Sequence, residues 1–369
     1  MTSRHPNPVD RPARDGRFRF WRSSLRFAMA ATLGGGILAA CGSSSHSGAA
    51  SSGGAAAFFK GKTITLIAPD KPGGGYDKYA RLFAPYLASA LGATINVVNV
   101  NGAGTLDGTN EMAKASPDGL TIGLVNVGGD TASLVEHLPG QSFDMTKLSW
   151  IGQPAVVPNV MVTQPSSSVK SFASMLSASS PVSVLDVRSG VGDMLNRVVF
   201  GAMSIPHHLV TGFDEVAALK QGFLAKDGQI MFESIPSMYS LIAGHEARPL
   251  LYVGTLTLPK YRTILQGVPD LASELAKAKL SSAQKAAVKE ALTLSNLSDD
   301  FAGPPGIPAA RLQVLRQAFL TAAKSSALQA AALKASIQVG PIDGATLATQ
   351  VSQAVAQGSA IGPFVPTKG

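Results

Sequence analysis

The stretch Ile67-Ala68-Pro69-Asp70-Lys71-Pro72-Gly73-Gly74-Gly75-Tyr76-Asp77 decides how this chain is read. Just ahead of the glycines, Thr63–Ala68 (TITLIA) has the apolar, β-branched composition of a buried strand. Behind them, Tyr79, Leu82, Phe83, Tyr86, Leu87 and Leu91 recur at i, i+3 and i+4, which predicts a helix over Asp77–Leu91. Three glycines let the backbone turn sharply and keep side chains out of the space before the helix. The helix aims its unpaired N–H groups and its dipole at the same space. The segment therefore reads either as an anion site or as a plain glycine-rich βα turn, with Asp77 placed to cap the helix. No Gly-Lys-Ser/Thr follows at the required spacing, which excludes a Walker A loop.

Outward from this unit, strand and helix signals alternate. Strands are expected at Thr94–Val100, Leu120–Val127 and Val160–Thr163, with a helix over Asp107–Ser116. A second set follows: strand Pro181–Val187, helix Val191–Met203, strand His208–Thr211, helix Asp214–Ala225, and strands Gln229–Phe232 and Arg248–Gly254. Pro259 to Pro269 reads as loop, and Phe301-Ala302-Gly303-Pro304-Pro305-Gly306 as the sharpest break in the chain. Pro308 then opens a helix over Ala309–Lys324. Alternating β and α units imply an α/β protein with helices on both faces of parallel-type sheets, here in two lobes.

The chain has 369 residues, 45% of them hydrophobic and 15% charged, enough apolar material for packed cores and too little charge for a disordered chain. A net charge of +8 suggests nucleic acid until the chain is divided. Residues 1–40 hold seven arginines against Asp10 and Asp15, leaving 24 basic and 21 acidic groups for the remainder, so no nucleic-acid partner is implied. After Arg26 comes a 14-residue apolar stretch, Phe27 to Ala40, too short to span a bilayer but right for a signal-peptide core. It ends in Leu38-Ala39-Ala40-Cys41, which looks like a lipoprotein box with Cys41 as the lipidated residue. Residues 1–40 are thus expected to be a lipoprotein signal peptide and 41–57, rich in Gly, Ser and Ala, a flexible tether with folding beginning near Phe58. Such a layout belongs to an exported protein held by lipid on the outer face of the cytoplasmic membrane or in the periplasm.

Constellations for catalysis are thin. There is no Gly-x-Ser-x-Gly elbow, and the single cysteine belongs to the leader. His207 and His208 are adjacent and would point to opposite faces of a strand, while His137 and His245 have no partner at ligand spacing, so no metal site is expected. A second glycine cluster, Gly102 to Gly108, misses the dinucleotide fingerprint by one residue and follows the second strand rather than the first. Neither a metal nor an organic cofactor is implied. Asp186, Asp193 and Glu233 lie at predicted strand ends, where open α/β sheets bind ligands; carboxylates there serve as acids, ligand contacts or, most often, helix caps.

Ile67 to Asp77, continuing to Arg81-Leu82, resembles the first βα unit of the tripartite tricarboxylate transporter substrate-binding proteins, the Bug receptors. Val97-Val98-Asn99, Gly102-Ala103-Gly104 and Ala115 to Thr121 continue the resemblance in order, with looser echoes at Pro158–Val162, Ser189–Asp193, Gly228–Phe232 and Val268–Asp270. The resemblance implies an α/β, two-lobed periplasmic-binding-protein fold, each lobe a mixed sheet flanked by helices, with a ligand cleft between lobes. It implies one lobe over 58–160 plus 301–340 and another over 161–300 plus 341–369. It implies a monomer that performs no chemistry, captures a small organic acid and delivers it to the membrane permease subunits of a tripartite transporter. Carried over by position, the first-lobe loop is Gly73, Gly74, Gly75, Tyr76 and Asp77. The second-lobe loop is Ser189, Gly190, Val191, Gly192 and Asp193, and the loop after the Met-Phe strand begins with Glu233 and Ser234. Tyr76 stands where the family has a small hydroxyl residue, Val191 where it has Asn, and Asp193 where it has Ser. Two other readings remain at this level, an extracytoplasmic hydrolase and a ligand-free accessory lipoprotein of the envelope.

Overall fold

The computed structural model describes residues 52–137, 139–187, 190–213 and 215–364. The leader, Cys41, the tether up to residue 51 and Ser189 lie outside the described residues.

Eleven strands are described: β1 (Thr63–Ala68), β2 (Thr94–Asn99), β3 (Thr121–Val125), β4 (Ser149–Gln153), β5 (Asn159–Thr163), β6 (Val182–Val187), β7 (His207–Phe213), β8 (Ile230–Ser234), β9 (Arg248–Val253), β10 (Asp300–Gly303) and β11 (Ile342–Asp343). Between them run α1 (Ser52–Phe59), α2 (Gly75–Leu91), α3 (Leu106–Lys114), α4 (Val127–Val135), α5 (Phe172–Leu176), α6 (Val191–Ala202) and α7 (Val216–Ala225). The series continues with α8 (Ile235–Ala243), α9 (Pro259–Ile264), α10 (Leu271–Lys277), α11 (Ser282–Ser295), α12 (Ala309–Lys324), α13 (Ser326–Ala335) and α14 (Gly344–Gln357).

The strands form two mixed sheets. The first has the order β11-β4-β10-β3-β1-β2 and the second β7-β6-β8-β5-β9. In the first, β1 is parallel to β2 and β3, while β10 runs antiparallel between β3 and β4. In the second, β6 is parallel to β7 and β8, and β5 is antiparallel to β8 and β9. The chain leaves the first sheet between β4 and β5 and returns between β9 and β10, which gives the two-lobed α/β arrangement expected.

Three apolar clusters hold these layers. On one face of the first sheet, Phe83 of α2, Phe301 of β10 and Phe319 of α12 form a ring trio, with centroids 5.2 to 5.4 Å apart. The outer face of the second sheet packs Val160, Leu185 and Met231 against Leu219, Phe223, Met238 and Tyr261. The third cluster is shared: Ile67, Val125 and Trp150 of the first lobe and Val184, Ile230 and Leu251 of the second belong to one buried group, joined through α4, α6 and α11. The lobes are therefore fused along one side by a common core, and any relative motion has to work around it.

Four expectations are corrected. The segment read as the sharpest break contains β10, a central strand buried at every position; flanking β3 and β4 impose extended pairing on Asp-Phe-Ala-Gly despite its poor strand propensity. Pro259 to Pro269 holds a short helix, α9, with proline at its first turn. The last residues of the tether, from Ser52, form α1, because Ala55 and Phe59 are buried, with α1 lying against α12. The tail expected in the second lobe enters the first sheet instead: β11 pairs with β4, and α14 packs on β4.

Candidate functional site

The glycine run leaves β1 at the end of the first sheet and winds into α2. Of the three glycines only Gly73 has a left-handed backbone (φ 89°); Gly74 is the N-cap residue, and the space where a Cβ on Gly75 would stand is open. Asp77 does not cap the helix as expected. It is buried in the first turn, folds back to accept the Gly73 N–H at 2.8 Å, and takes further bonds from Arg81 Nε and Asn99 Nδ2 at 2.8 and 2.9 Å. Burial pushes its carboxyl up, but the bonds from Arg81, Gly73 and Asn99 prevail and hold it below the usual carboxylate range. Asn99, the last residue of β2, also donates to the Asp70 carbonyl at 3.1 Å and so pins the loop to the sheet.

The position at the start of α2 where a bound anion would sit is taken by the chain itself. Asp70 Oδ2 accepts the Tyr76 N–H at 3.1 Å, and a Cβ on Gly74 would overlap this carboxylate. Burial is the main reason its pKa rises to about 6, against the stabilising backbone N–H groups. The sequence signal for Asp70 is an acid three residues ahead of a glycine run, within reach of the following helix.

The second glycine cluster, tightly wound, braces the first. Gly102, Ala103, Gly104 and Thr105 all have positive φ, and Gly108 packs so closely on Pro69 and the Val100 carbonyl that a Cβ there would stand 2.7 to 2.8 Å from both. Thr105 Oγ1 donates to Asp130 Oδ1 at 3.1 Å, which ties this loop to the first turn of α4. Asp130 is fully buried, and desolvation raises its pKa to about 8. Asp299, buried at φ 60° just before β10, is raised to about 7 by burial and then by Asp70; burial and then Asp299 hold Asp300 well above its ordinary value, against the Gln153 carboxamide. Half-buried Tyr76 faces this group: burial first, then the carboxylates of Asp299, Asp130, Asp70 and Asp300, hold its phenol well above its ordinary value.

In the second lobe, Gly190 is the N-cap of α6, and Gly192 in its first turn lies hard against the Phe232 carbonyl, leaving no room for a side chain. The same point is 3.3 Å from Glu233 Oε1, so the start of α6 and the end of β8 lie together. Burial raises Glu233 to about 7, eased by the Ser234 N–H and by Lys220. Ser234 caps no amide with its side chain but bonds Ser237 Oγ at 2.8 Å. Val191 Cγ2 is 3.2 Å from where a Cβ on Gly128 of α4 would stand, so the two lobes meet at these helix starts. Asp193 is committed elsewhere: it is buried in an ion pair with Arg197, which also reaches Asp186 at 3.4 Å and Glu136 of α4 at 4.0 Å. A second ionic link between lobes joins Lys71 to Glu215 at 2.7 Å. Among the described residues no group of three or more His, Cys, Asp or Glu is arranged to hold a metal ion. His207 instead bonds the Ile205 carbonyl at 2.9 Å.

These observations define a two-lobed periplasmic-binding-protein fold in which the lobes meet at the α4 and α6 starts and at the Lys71–Glu215 pair ahead of the first glycine loop. Residues 79–185 match the family model described as tripartite tricarboxylate transporter family receptor (TctC), the family that the motifs resemble. The match begins two residues after the glycine loop. Protein BugT of Bordetella pertussis (strain Tohama I) is 33% identical over 122 residues, which cover 32% of this chain and 36% of BugT. The chain thus aligns with about a third of the length of its curated relatives. Among solved structures, the periplasmic binding protein BugD superposes with a TM-score of 0.66 at 18% identity, covering 83% of this chain and 98% of BugD. MatC from Rhodopseudomonas palustris, solved with bound malate, gives 0.63 at 17% identity, covering 82% and 99%. At these identities the structural likeness speaks for the fold alone.

Proposed function

We propose that this protein is an extracytoplasmic solute-binding receptor that captures a small organic acid and hands it to the permease subunits of a tripartite tricarboxylate-type transporter. It performs no reaction of its own. The observation that carries the reading is how the lobes meet: Lys71, just ahead of the Gly73–Asp77 loop, pairs with Glu215 of the second lobe, and Val191 at the start of α6 abuts Gly128 of α4, with Glu233 beside the same α6 start. The malate held by MatC, on the same fold, supports a small acid as the ligand class. The leader and box ending at Cys41 support export and lipid anchoring, since a diacylglyceryl anchor supplies the two chains that stable attachment takes. Among the described residues no helix is long and apolar enough to cross a membrane. In this reading the ligand favours the closed arrangement of the lobes, and that arrangement is what the permease recognises.

The test is a thermal-shift screen of small organic solutes on the purified chain. A ligand that binds only the native state raises its apparent stability by an amount set by concentration over Kd, about 2.7 kcal/mol at a hundredfold excess. A saturable rise with at least one solute is expected; no shift across acids, amino acids and amines contradicts the receptor reading.

A further inference from the structure

Resting on the receptor reading, we propose that the first-lobe half of the site selects a solute bearing an ammonium or guanidinium group and rejects plain dicarboxylates. Four carboxylates gather at the end of the first sheet where β1 and β3 finish and antiparallel β10 begins, within electrostatic reach of the Tyr76 phenol: Asp70 from the β1–α2 loop, Asp130 from α4, and Asp299 and Asp300 from the approach to β10. Two of them leave acceptors unsatisfied deep in the protein. Asp130 and Asp300 are fully buried; Asp130 Oδ2 has no partner, and Asp300 has the Gln153 carboxamide beside it and no charged partner. Asp70 Oδ1 is likewise unpartnered. Among the described residues no lysine or arginine comes within 4.0 Å of any of the four, the ion pairs nearby being Arg81 with Asp77 and Lys71 with Glu215. Lys78 eases Asp70 only at longer range.

A buried acceptor without a donor is costly, and a cluster of them without a counter-ion calls for donors and positive charge. The helix start that would greet a ligand carboxylate already holds Asp70. A second anion about 4 Å from one ionised carboxylate, at an effective dielectric near 20, would lose roughly three powers of ten in affinity. A cationic group gains by the same amount. Empty, the site keeps its acids partly protonated around neutral pH, with Asp70 raised to about 6, Asp299 to about 7 and Asp130 to about 8. A cation favours their ionised forms, so its binding expels protons and tightens as pH rises. An anionic ligand would show the reverse.

The experiment is calorimetric titration of the wild-type protein with agmatine, L-arginine and putrescine, and with malate, adipate and citrate, at pH 5.5 and 8.5. At least one cationic probe is expected to bind, ten-fold or more tighter at pH 8.5, and Asp130→Asn, which keeps the side-chain shape, should weaken it at least ten-fold. Asp70→Asn provides a second variant should the first fail to fold, and the wild-type pH profile stands without either. Binding of a dicarboxylate in preference to every cationic probe, or tighter at pH 5.5, overturns the proposal while leaving the receptor reading intact. Failure of all six probes overturns it as well; only the absence of a shift with any solute in the wider screen would also remove the receptor reading.

Discussion

Gly74 and Gly75 are neighbours in sequence with opposite tolerances. A Cβ on Gly74 would land on the Asp70 carboxylate, whereas one on Gly75 meets nothing within 4 Å. The Asp70 carboxylate is the free end of a side chain and can swing aside, so Gly74→Ala should cost no more than about 1 kcal/mol of stability. It would nevertheless displace the acid that accepts the Tyr76 N–H and so disturb the ligand side of the loop. The solute found by the thermal-shift screen should bind Gly74→Ala at least ten-fold more weakly and Gly75→Ala within two-fold of wild type. Equal affinities in the two variants would show that the loop does not touch the solute. The glycine run itself was legible in the sequence, because nothing but glycine reads as that kind of turn. Asp70, Asp130, Asp299 and Asp300 were not, since their significance comes from convergence of residues up to 230 positions apart.

Helices and strands with strong periodicity were legible to the residue: β1 and α12 fall where the pattern put them. Others escaped: α11 had a readable capping box in Ser281 and Gln284, while two more open on residues that favour turns. The α4 helix begins Val-Gly-Gly-Asp, and α14 is a run of Ala, Thr, Gln and Ser with few large apolar residues; both are stabilised by what they pack on rather than by propensity. The α4 helix matters most, because it carries Asp130 at one end and reaches the second lobe through Glu136 at the other. There Arg197 of α6 serves three acids at once, Asp193, Asp186 and Glu136, of which Asp186 has no exposed side-chain surface. Burial and the adjacent Asp193 push Asp186 far up, and Arg197 opposes that shift. Arg197→Met should therefore leave buried acids without their cation and cost about 3–5 kcal/mol in urea unfolding. A loss below about 1 kcal/mol would mean these acids are carried neutral and that the ion cluster does not brace the lobes.

At the scale of the molecule, the lobes are fused by a shared core that includes the α4 and α6 starts, and away from it they are bridged by the Lys71–Glu215 pair. Such a body senses a solute by the arrangement of its lobes, and the Lys71–Glu215 pair, exposed and bridging them, contributes at most about 1 kcal/mol to closure. Closure therefore has to come chiefly from the solute itself. Native mass spectrometry of the chain purified from its own host, without unfolding, examines this most directly. The account predicts a single small solute on each chain, present in the wild type and depleted in Gly74→Ala. Bare chains of identical mass in both proteins, from cells in which the protein is made and exported, would contradict it.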